Sequence, residues 1–377
     1  MTRFLHSADW QLGMTRIFLG PDAQPRFTAA RIDAIRTIGS LAVAEGCSFV
    51  VVCGDVFESN QVERQVVVRA LEAMSATPGV TFYLLPGNHD PLDASSVFRS
   101  RTFTSHCPAN VVVLEEPGSL VIESGVELVA SPWFTKRPLT DLVTQATREL
   151  PVDGTIRIAV GHGAIDTLSP DPTNPALIIL ADLEAGIDAG RLHYVALGDR
   201  HSTDDIGRTG RVRYSGAPEP TDYVEIDPGN VLLVDVTPEA ISVESHRVGT
   251  WRFVRREFDL IGSEDCDRVE AFLDAIDDKA RTIVKLALVG QLSLAVKARL
   301  DAILDHYADL LAALETWERR SELIVLPDDG DFDSLHLSGF ARQALDDLRE
   351  VAGGDDDRAV SARDALGLLY RLRVVPR

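Results

Sequence analysis

Apolar and polar positions in the first 200 residues follow a repeating order: an apolar run, a polar turn, then a stretch with helical spacing. Residues 3–8 (RFLHSA) lead into the first such turn. Residues 25–45 then place Ile32, Ile35, Ile38 and Leu41 at the spacing of one helix face. Residues 48–53 (SFVVVC) are apolar almost without a break, as expected of a strand covered on both faces. A helix over 61–76 and a strand over 80–85 (VTFYLL) repeat the order. Further strands are expected at 111–114, 120–123, 126–130, 155–160 and 193–197. Strands alternating with helices predict layered α/β architecture.

Past residue 210 the helical spacing fades. Strand-like runs at 211–215, 231–236, 241–247 and 251–258 predict a β-rich end to a first domain spanning 1–258. The pattern changes near Ile261, with a helix expected at 264–279, a strand at 282–289 and a helix at 293–316. These make a small second domain, 259–328. A polar break at 327–333 (PDDGDFD) and two amphipathic helices, 339–352 and 359–373, complete a C-terminal segment, 329–377.

Composition narrows the function classes. A chain of 377 residues exceeds one typical core. No apolar run approaches the roughly 20 residues of a membrane span, and the N-terminus lacks a secretory pattern. Cys47, Cys53, Cys107 and Cys266 form no CxxC pair, which fits reduced thiols in a cytoplasmic protein. The net charge of −21 argues against broad wrapping of nucleic acid. It leaves room for a local site where bound cations supply the positive charge.

Five polar clusters each follow an apolar strand candidate: SADWQ (7–11), GD (54–55), GNHD (87–90), GH (161–162) and GDRH (198–201). Ligands in layered α/β proteins gather at the carboxyl ends of strands. Asp9 and Asp55 offer carboxylates, Asn88 a carbonyl oxygen, and His162 and His201 imidazoles. Such a mixed set suits divalent ions of the Mn²⁺, Fe²⁺ or Zn²⁺ kind. Two ions roughly 3.5–4 Å apart can clamp both oxygens of an in-line displacement at phosphorus. Arg200, Arg208, Arg211 and Arg213 follow the last motif and form a candidate phosphate-contact surface. Among the remaining histidines, His6 is the best placed to support the ligands.

The five motifs, in this order, resemble those of the calcineurin-like metallophosphoesterases, whose pattern runs DxH, GD, GNHD, GH and GHxH. The opening FLHSADWQLG is similar to that of the SbcD-type DNA repair nucleases, over roughly residues 3–260. The resemblance implies a four-layer α/β/β/α sandwich with a small α/β capping domain and C-terminal helices. It implies two metals, one held by Asp9, Gln11, Asp55 and His201 and the other by Asp55, Asn88, His162 and Asp199. His89 would face the substrate phosphate, with Asp90 placed to orient it. Gln11 and Asp199 stand where that family has histidines. Both are oxygen donors, which shifts preference toward Mn²⁺, with Mg²⁺ or Fe²⁺ as alternatives. Glu58 stands where some family nucleases have a histidine. The implied partners are DNA and an SMC-type ATPase docked on the C-terminal helices, with a second copy of the chain as a further one. Two other readings stay open. One is a nucleotide phosphodiesterase or phosphoprotein phosphatase of the same superfamily. The other is a non-catalytic scaffold that binds DNA ends, its metal site weakened at Gln11 and Asp199.

Overall fold

The computed structural model of the chain describes residues 1–326 and 337–352, with isolated positions between 354 and 366. The chain divides into two units, Met1–Trp251 and the residues from Arg252 onward.

The first unit holds two six-stranded sheets. Strands β1 (Thr2–Ser7), β2 (Phe49–Cys53), β3 (Thr81–Leu85), β4 (Val111–Val113), β11 (Asn230–Val236) and β12 (Ile241–Arg247) form one, in the order β12-β11-β1-β2-β3-β4. Within it β1, β2, β3 and β4 run parallel. Strands β5 (Gly118–Glu123), β6 (Val126–Ala130), β7 (Ile156–His162), β8 (Tyr194–Gly198), β9 (Asp204–Ile206) and β10 (Val212–Tyr214) form the other, in the order β5-β6-β7-β8-β10-β9. Here β6, β7, β8 and β10 are parallel.

The continuous apolar runs are explained by burial on both faces. On β2, Val50 and Val52 pack with helices α1 (Ala23–Ala44), α2 (Arg64–Ser75) and α3 (Arg101–His106). Its alternate residues Phe49, Val51 and Cys53 meet Leu128, Ile158, Val160 and Ala196 of the second sheet. The second sheet's outer face, with Ala159, Val195 and Leu197, packs with Val143 of α4 (Leu142–Thr147) and Leu183 of α5 (Leu180–Asp188). The result is the four-layer α/β/β/α sandwich expected. Each fully buried Val, Leu or Phe contributes roughly 1.5–3 kcal/mol relative to exposure. Helix α1 ends in a Schellman motif: Gly46 adopts φ +71°, its N–H donates to Val43 O, and Cys47 N–H donates to Ala42 O.

The second unit is a parallel sheet around the 12-residue strand β14 (Thr282–Ser293). Strand β13 (Arg252–Leu260) pairs with it from Thr282 to Gly290. Strands β15 (Ala313–Thr316) and β16 (Glu322–Leu326) follow one another along its other edge. Helices α6 (Ser263–Asp274) and α7 (Leu294–Ala308) cover one face through Cys266, Val269, Leu273, Leu300 and Ile303. Helix α8 (Phe340–Ala352) buries Leu345 beside Leu294.

Three expectations need correction or qualification. Residues 252–258 do not close the first domain, because β13 pairs with β14 over nine residues; the division falls at Trp251. The helix expected over 293–316 stops at Ala308, and the chain re-enters the sheet as β15. The break at 327–333 and most of the helix at 359–373 lie outside the described residues. All four cysteines are free. Among the described residues no helix is long and apolar enough to cross a membrane.

Candidate metal centre

The five motifs leave the carboxyl ends of β1, β2, β3, β7 and β8. Strand β2 packs face to face with β7 and β8, so loops from both sheets converge on one place. Bringing ligands this close requires tight backbone turns. Asp9, Gln11, Asp55 and Asp199 adopt positive φ, at 54°, 49°, 52° and 93°. Non-glycine residues rarely do so, and when several do at one place the strain usually marks a functional site. Backbone bonds hold the turns together: Asp9 N–H donates to Gly54 O at 3.1 Å and Gln11 N–H to Asp55 O at 3.0 Å. The glycines are required by crowding. A Cβ on Gly54 would lie 2.1 Å from His162 Nδ1, and one on Gly198 would lie 1.9 Å from Cys53 O.

The structure brings all seven expected ligand residues together. Donor atoms of Asp9, Asp55 and His162 lie within 4.8 Å of one another, and all three residues are buried. His162 Nε2 is 2.6 Å from Asn88 Oδ1, 3.4 Å from Asp55 Oδ1 and 3.8 Å from Asp199 Oδ1. His201 Nε2 is 3.9 Å from Asp9 Oδ1. Gln11 Nε2 donates to Asp55 Oδ2 at 3.0 Å. Its carbonyl oxygen, Oε1, is buried without a hydrogen-bond partner.

Hydrogen bonds at the rear of each imidazole fix which nitrogen faces the centre. His162 Nδ1–H donates to Cys53 O at 2.8 Å, a carbonyl that can only accept, so Nε2 is the nitrogen that faces the centre, beside Asn88 Oδ1. His201 Nδ1 is held by Thr221 Oγ1 at 2.7 Å and Glu225 Oε1 at 3.0 Å. His89 Nδ1–H donates to Glu58 O at 2.9 Å, which aims Nε2 at the cleft.

The electrostatics fit cations. Burial pushes the Asp9 carboxyl up to about 6, with the histidine charges working against that rise. Burial opposes a charge on His162, yet the carboxylates of Asp55, Asp9 and Asp199 outweigh it and push the imidazole up to about 9. His201 rises to about 9 against the same burial, through Glu225 and Asp9. The cluster thus draws positive charge into a buried place, a demand that divalent ions meet. An orphaned carbonyl oxygen, two carboxylates and oriented imidazoles fit such ions. The centre opens on a cleft of about 530 Å³, lined among others by Gln11, Arg16, Glu58, His89, Asp199, Arg200 and His201.

Several expected roles change. Asp90 does not orient His89. Its carboxylate accepts Phe57 N–H and Gly87 N–H, at 2.9 and 2.8 Å, and so ties the GNHD turn to the GD loop. Burial pushes its carboxyl up to about 7. The four arginines do not form a common surface. Arg208 pairs with Asp188 and Glu184, Arg211 donates to the carbonyls of His193 and Glu239, and Arg213 pairs with Asp205. Arg200 alone of the four lines the cleft, paired with Asp204 at 2.9 Å. His6 lies beneath the site, its Nε2–H donating to Leu197 O and its Nδ1 facing Tyr194 OH; burial drops its pKa to about 3.

Sequence reading missed Arg16, Thr221, Glu225 and Trp133. Arg16 donates to Thr221 O at 2.7 Å, and Trp133 Nε1–H donates to His162 O at 2.8 Å. Of these only Trp133 carried a signal, since it follows the apolar strand run at 126–130.

Known proteins resemble the chain in part. The chain is 25% identical over 298 residues to the DNA double-strand break repair protein Mre11 of Haloferax volcanii, covering 77% of this chain and 62% of that one. It is 26% identical over 275 residues to the SbcD component of the SbcCD nuclease of Rhodobacter capsulatus, covering 61% and 66%. Each match therefore spans a little under two thirds of the relative's own length. A solved structure, TT1561 of Thermus thermophilus, superposes with a TM-score of 0.42 at 10% identity, over 66% of this chain and 99% of that one. The family model for calcineurin-like phosphoesterases matches residues 2–227, the whole stretch that carries the five motifs, and the chain belongs to that family.

Proposed function

We propose that the chain is a two-metal phosphodiesterase acting on DNA, of the SbcD nuclease type. The observation that carries this reading is the cluster of seven donor residues around a buried core of Asp9, Gln11, Asp55 and His162, including an unpartnered Gln11 Oε1. Asp9, Gln11, Asp55 and His201 would hold one ion, and Asp55, Asn88, His162 and Asp199 the other. The oxygen-rich set favours Mn²⁺, with Mg²⁺ or Fe²⁺ as alternatives. When bound, the ions supply Lewis-acid stabilisation of the charge that develops at phosphorus. The chain's own groups do the rest. His89, anchored through Nδ1, presents Nε2 to the cleft, where it can donate a proton to the leaving oxygen. Asp90 keeps that turn in register. Arg16 and Arg200 line the cleft and offer guanidinium groups to phosphate oxygens.

DNA as substrate is supported by the names of the two relatives, one a double-strand break repair protein and the other part of a nuclease. We extend to this chain a partner of the SMC-type ATPase class, docked on the C-terminal segment. Helix α8 buries Leu345 and leaves Phe340 88% exposed, which supports such a surface.

The test is a Mn²⁺-dependent digestion of single-stranded, blunt and hairpin DNA beside a small phosphodiester. Metal content is measured by mass spectrometry. Cleavage of DNA with two ions per chain is expected, lowered about 10²–10³-fold in Asp55→Ala, since loss of a key electrostatic group costs on that order. Cleavage of the small diester alone favours a nucleotide phosphodiesterase. Two ions with cleavage of neither sinks the enzymatic reading.

A further inference from the structure

Strand β6 ends on the same edge as β7 and β8, parallel to them, yet its loop supplies no ligand. That loop, residues 131–139, reads SPWFTKRPL. Its first residues are locked in place. Ser131 N–H continues the ladder to Val160 O at 3.1 Å. Trp133 N–H donates to Pro86 O at 3.2 Å, and Trp133 O accepts Leu92 N–H at 2.8 Å. Pro86 and Leu92 bracket the Asn88–His89 turn. The indole N–H donates to His162 O, and the ring stands edge-on to the His162 imidazole with centroids 5.7 Å apart. Trp133 is therefore wedged between two ligand loops.

The residues that follow turn outward. Phe134 is 41% exposed and Leu139 81% exposed, with Thr135, Lys136 and Arg137 exposed between them. Neither Lys136 nor Arg137 forms an ion pair with a described residue, whereas Arg200, Arg208 and Arg213 are each matched by carboxylates. In a chain of net charge −21, two exposed cations without an ion pair to a described residue, Lys136 also lying in the field of Asp93, stand beside an exposed phenylalanine that adjoins the Trp133 wedge, which is out of keeping with a solvated turn. An aromatic face takes a stacked base without sequence preference, and neighbouring cations take phosphates. Bases inside a duplex do not offer that face, so the ligand is an unpaired nucleotide.

We propose that residues 133–139 form a platform for the unpaired end of a nucleic-acid strand, with Phe134 stacking a base and Lys136 and Arg137 meeting adjacent phosphates. The proposal rests on the phosphodiesterase reading above and names the strand form that the site receives.

The test uses the full chain, a fluorescein-labelled oligothymidine of about 15 nucleotides, long enough for a typical single-strand site, and a blunt duplex, with anisotropy read over a salt series in Ca²⁺. Hydrolysis of a small phosphodiester in Mn²⁺ is measured in parallel. Phe134→Ala is expected to weaken oligothymidine binding about tenfold, leave the salt slope unchanged and be rescued by Phe134→Trp. The double variant Lys136→Ala/Arg137→Ala is expected to flatten the slope by about 1.4, from roughly 0.7 per lost phosphate contact. Both variants should keep small-diester hydrolysis within about twofold. Wild-type binding by all variants, or a wild-type chain that does not bind oligothymidine, overturns the proposal. A wild-type chain that binds, with binding lost in the variants, but that cleaves neither DNA nor the small diester with two ions bound, supports the platform and overturns the phosphodiesterase reading alone.

Discussion

His201 is held from behind by a carboxylate, and that support reaches well beyond one side chain. Glu225 Oε1 faces His201 Nδ1 and also accepts from the Thr221 hydroxyl, while both its oxygens accept Thr221 N–H. It thereby fixes the imidazole orientation that leaves Nε2 toward Asp9. Glu225→Ala is expected to lower Mn²⁺ affinity at the His201 site about 10–100-fold, the usual cost of losing such support. Glu225→Gln, whose carbonyl still accepts, should lose less. Calorimetric Mn²⁺ titration reads the difference, and equal affinities in all three proteins would remove this role from Glu225. The seven donor residues could be read from sequence because each stands at the end of an apolar run. Glu225 could not, because it acts through a residue 24 positions away and belongs to no pattern of its own. Asp90 is a related case: adjacency to His89 suggests a partner, but its oxygens turn to backbone N–H groups instead.

At the scale of elements, the strand-to-loop junctions carry the design. A Cβ on Gly87 would lie 2.3 Å from Asp55 Oδ1 and 2.6 Å from Asp55 N, and the backbone atom cannot give way. Gly87→Ala should therefore push apart the GNHD turn and the GD loop. The expected outcome is a stability loss of about 1–3 kcal/mol, typical of overpacking, together with at least tenfold weaker metal binding. Gly79→Ala, where nothing lies within 4 Å, is the control and should stay within about 0.5 kcal/mol. Denaturant titration with and without Mn²⁺ measures both; a Gly87→Ala protein indistinguishable from the control would show that the turn has slack. Strands β2 and β8 are legible because burial on both faces leaves an unbroken apolar run, while β1, β3 and β7 carry apolar cores broken by polar residues. The end of α7 is not legible. Residues 309–316 keep helical spacing through Leu310, Leu311 and Leu314, with no glycine or proline to stop it. Pairing of β15 with Ile283–Leu286 overrides that local preference, a tertiary effect that periodicity does not register.

At the scale of the whole molecule, the division at Trp251 separates the chemistry from the rest of the chain. Every donor residue, the cleft and the platform loop fall within Met1–Trp251, which has its own cores between and outside its two sheets. The sequence pattern places the boundary later, at 258, because β13 looks like one more strand of a β-rich end. Only its register against β14 assigns it to the second unit. Trp251 is the closing anchor of the first unit. It is fully buried, its ring stands edge-on to Phe27 at 5.0 Å, and its backbone N–H donates to Glu219 Oε2 at 3.0 Å. A chain ending at Trp251 is therefore expected to unfold cooperatively and to hydrolyse a small phosphodiester in Mn²⁺ within a few-fold of the full protein. A chain ending at residue 249 loses the indole and the bonds that Thr250 and Trp251 make to Glu219. It should be less stable by about 3–5 kcal/mol, as for deletion of a buried tryptophan. Calorimetric unfolding and small-diester turnover on the two truncations decide the matter. If the Trp251-ended chain is unfolded or inactive, the second unit is needed to build the centre, and the division of labour read from the cores is wrong.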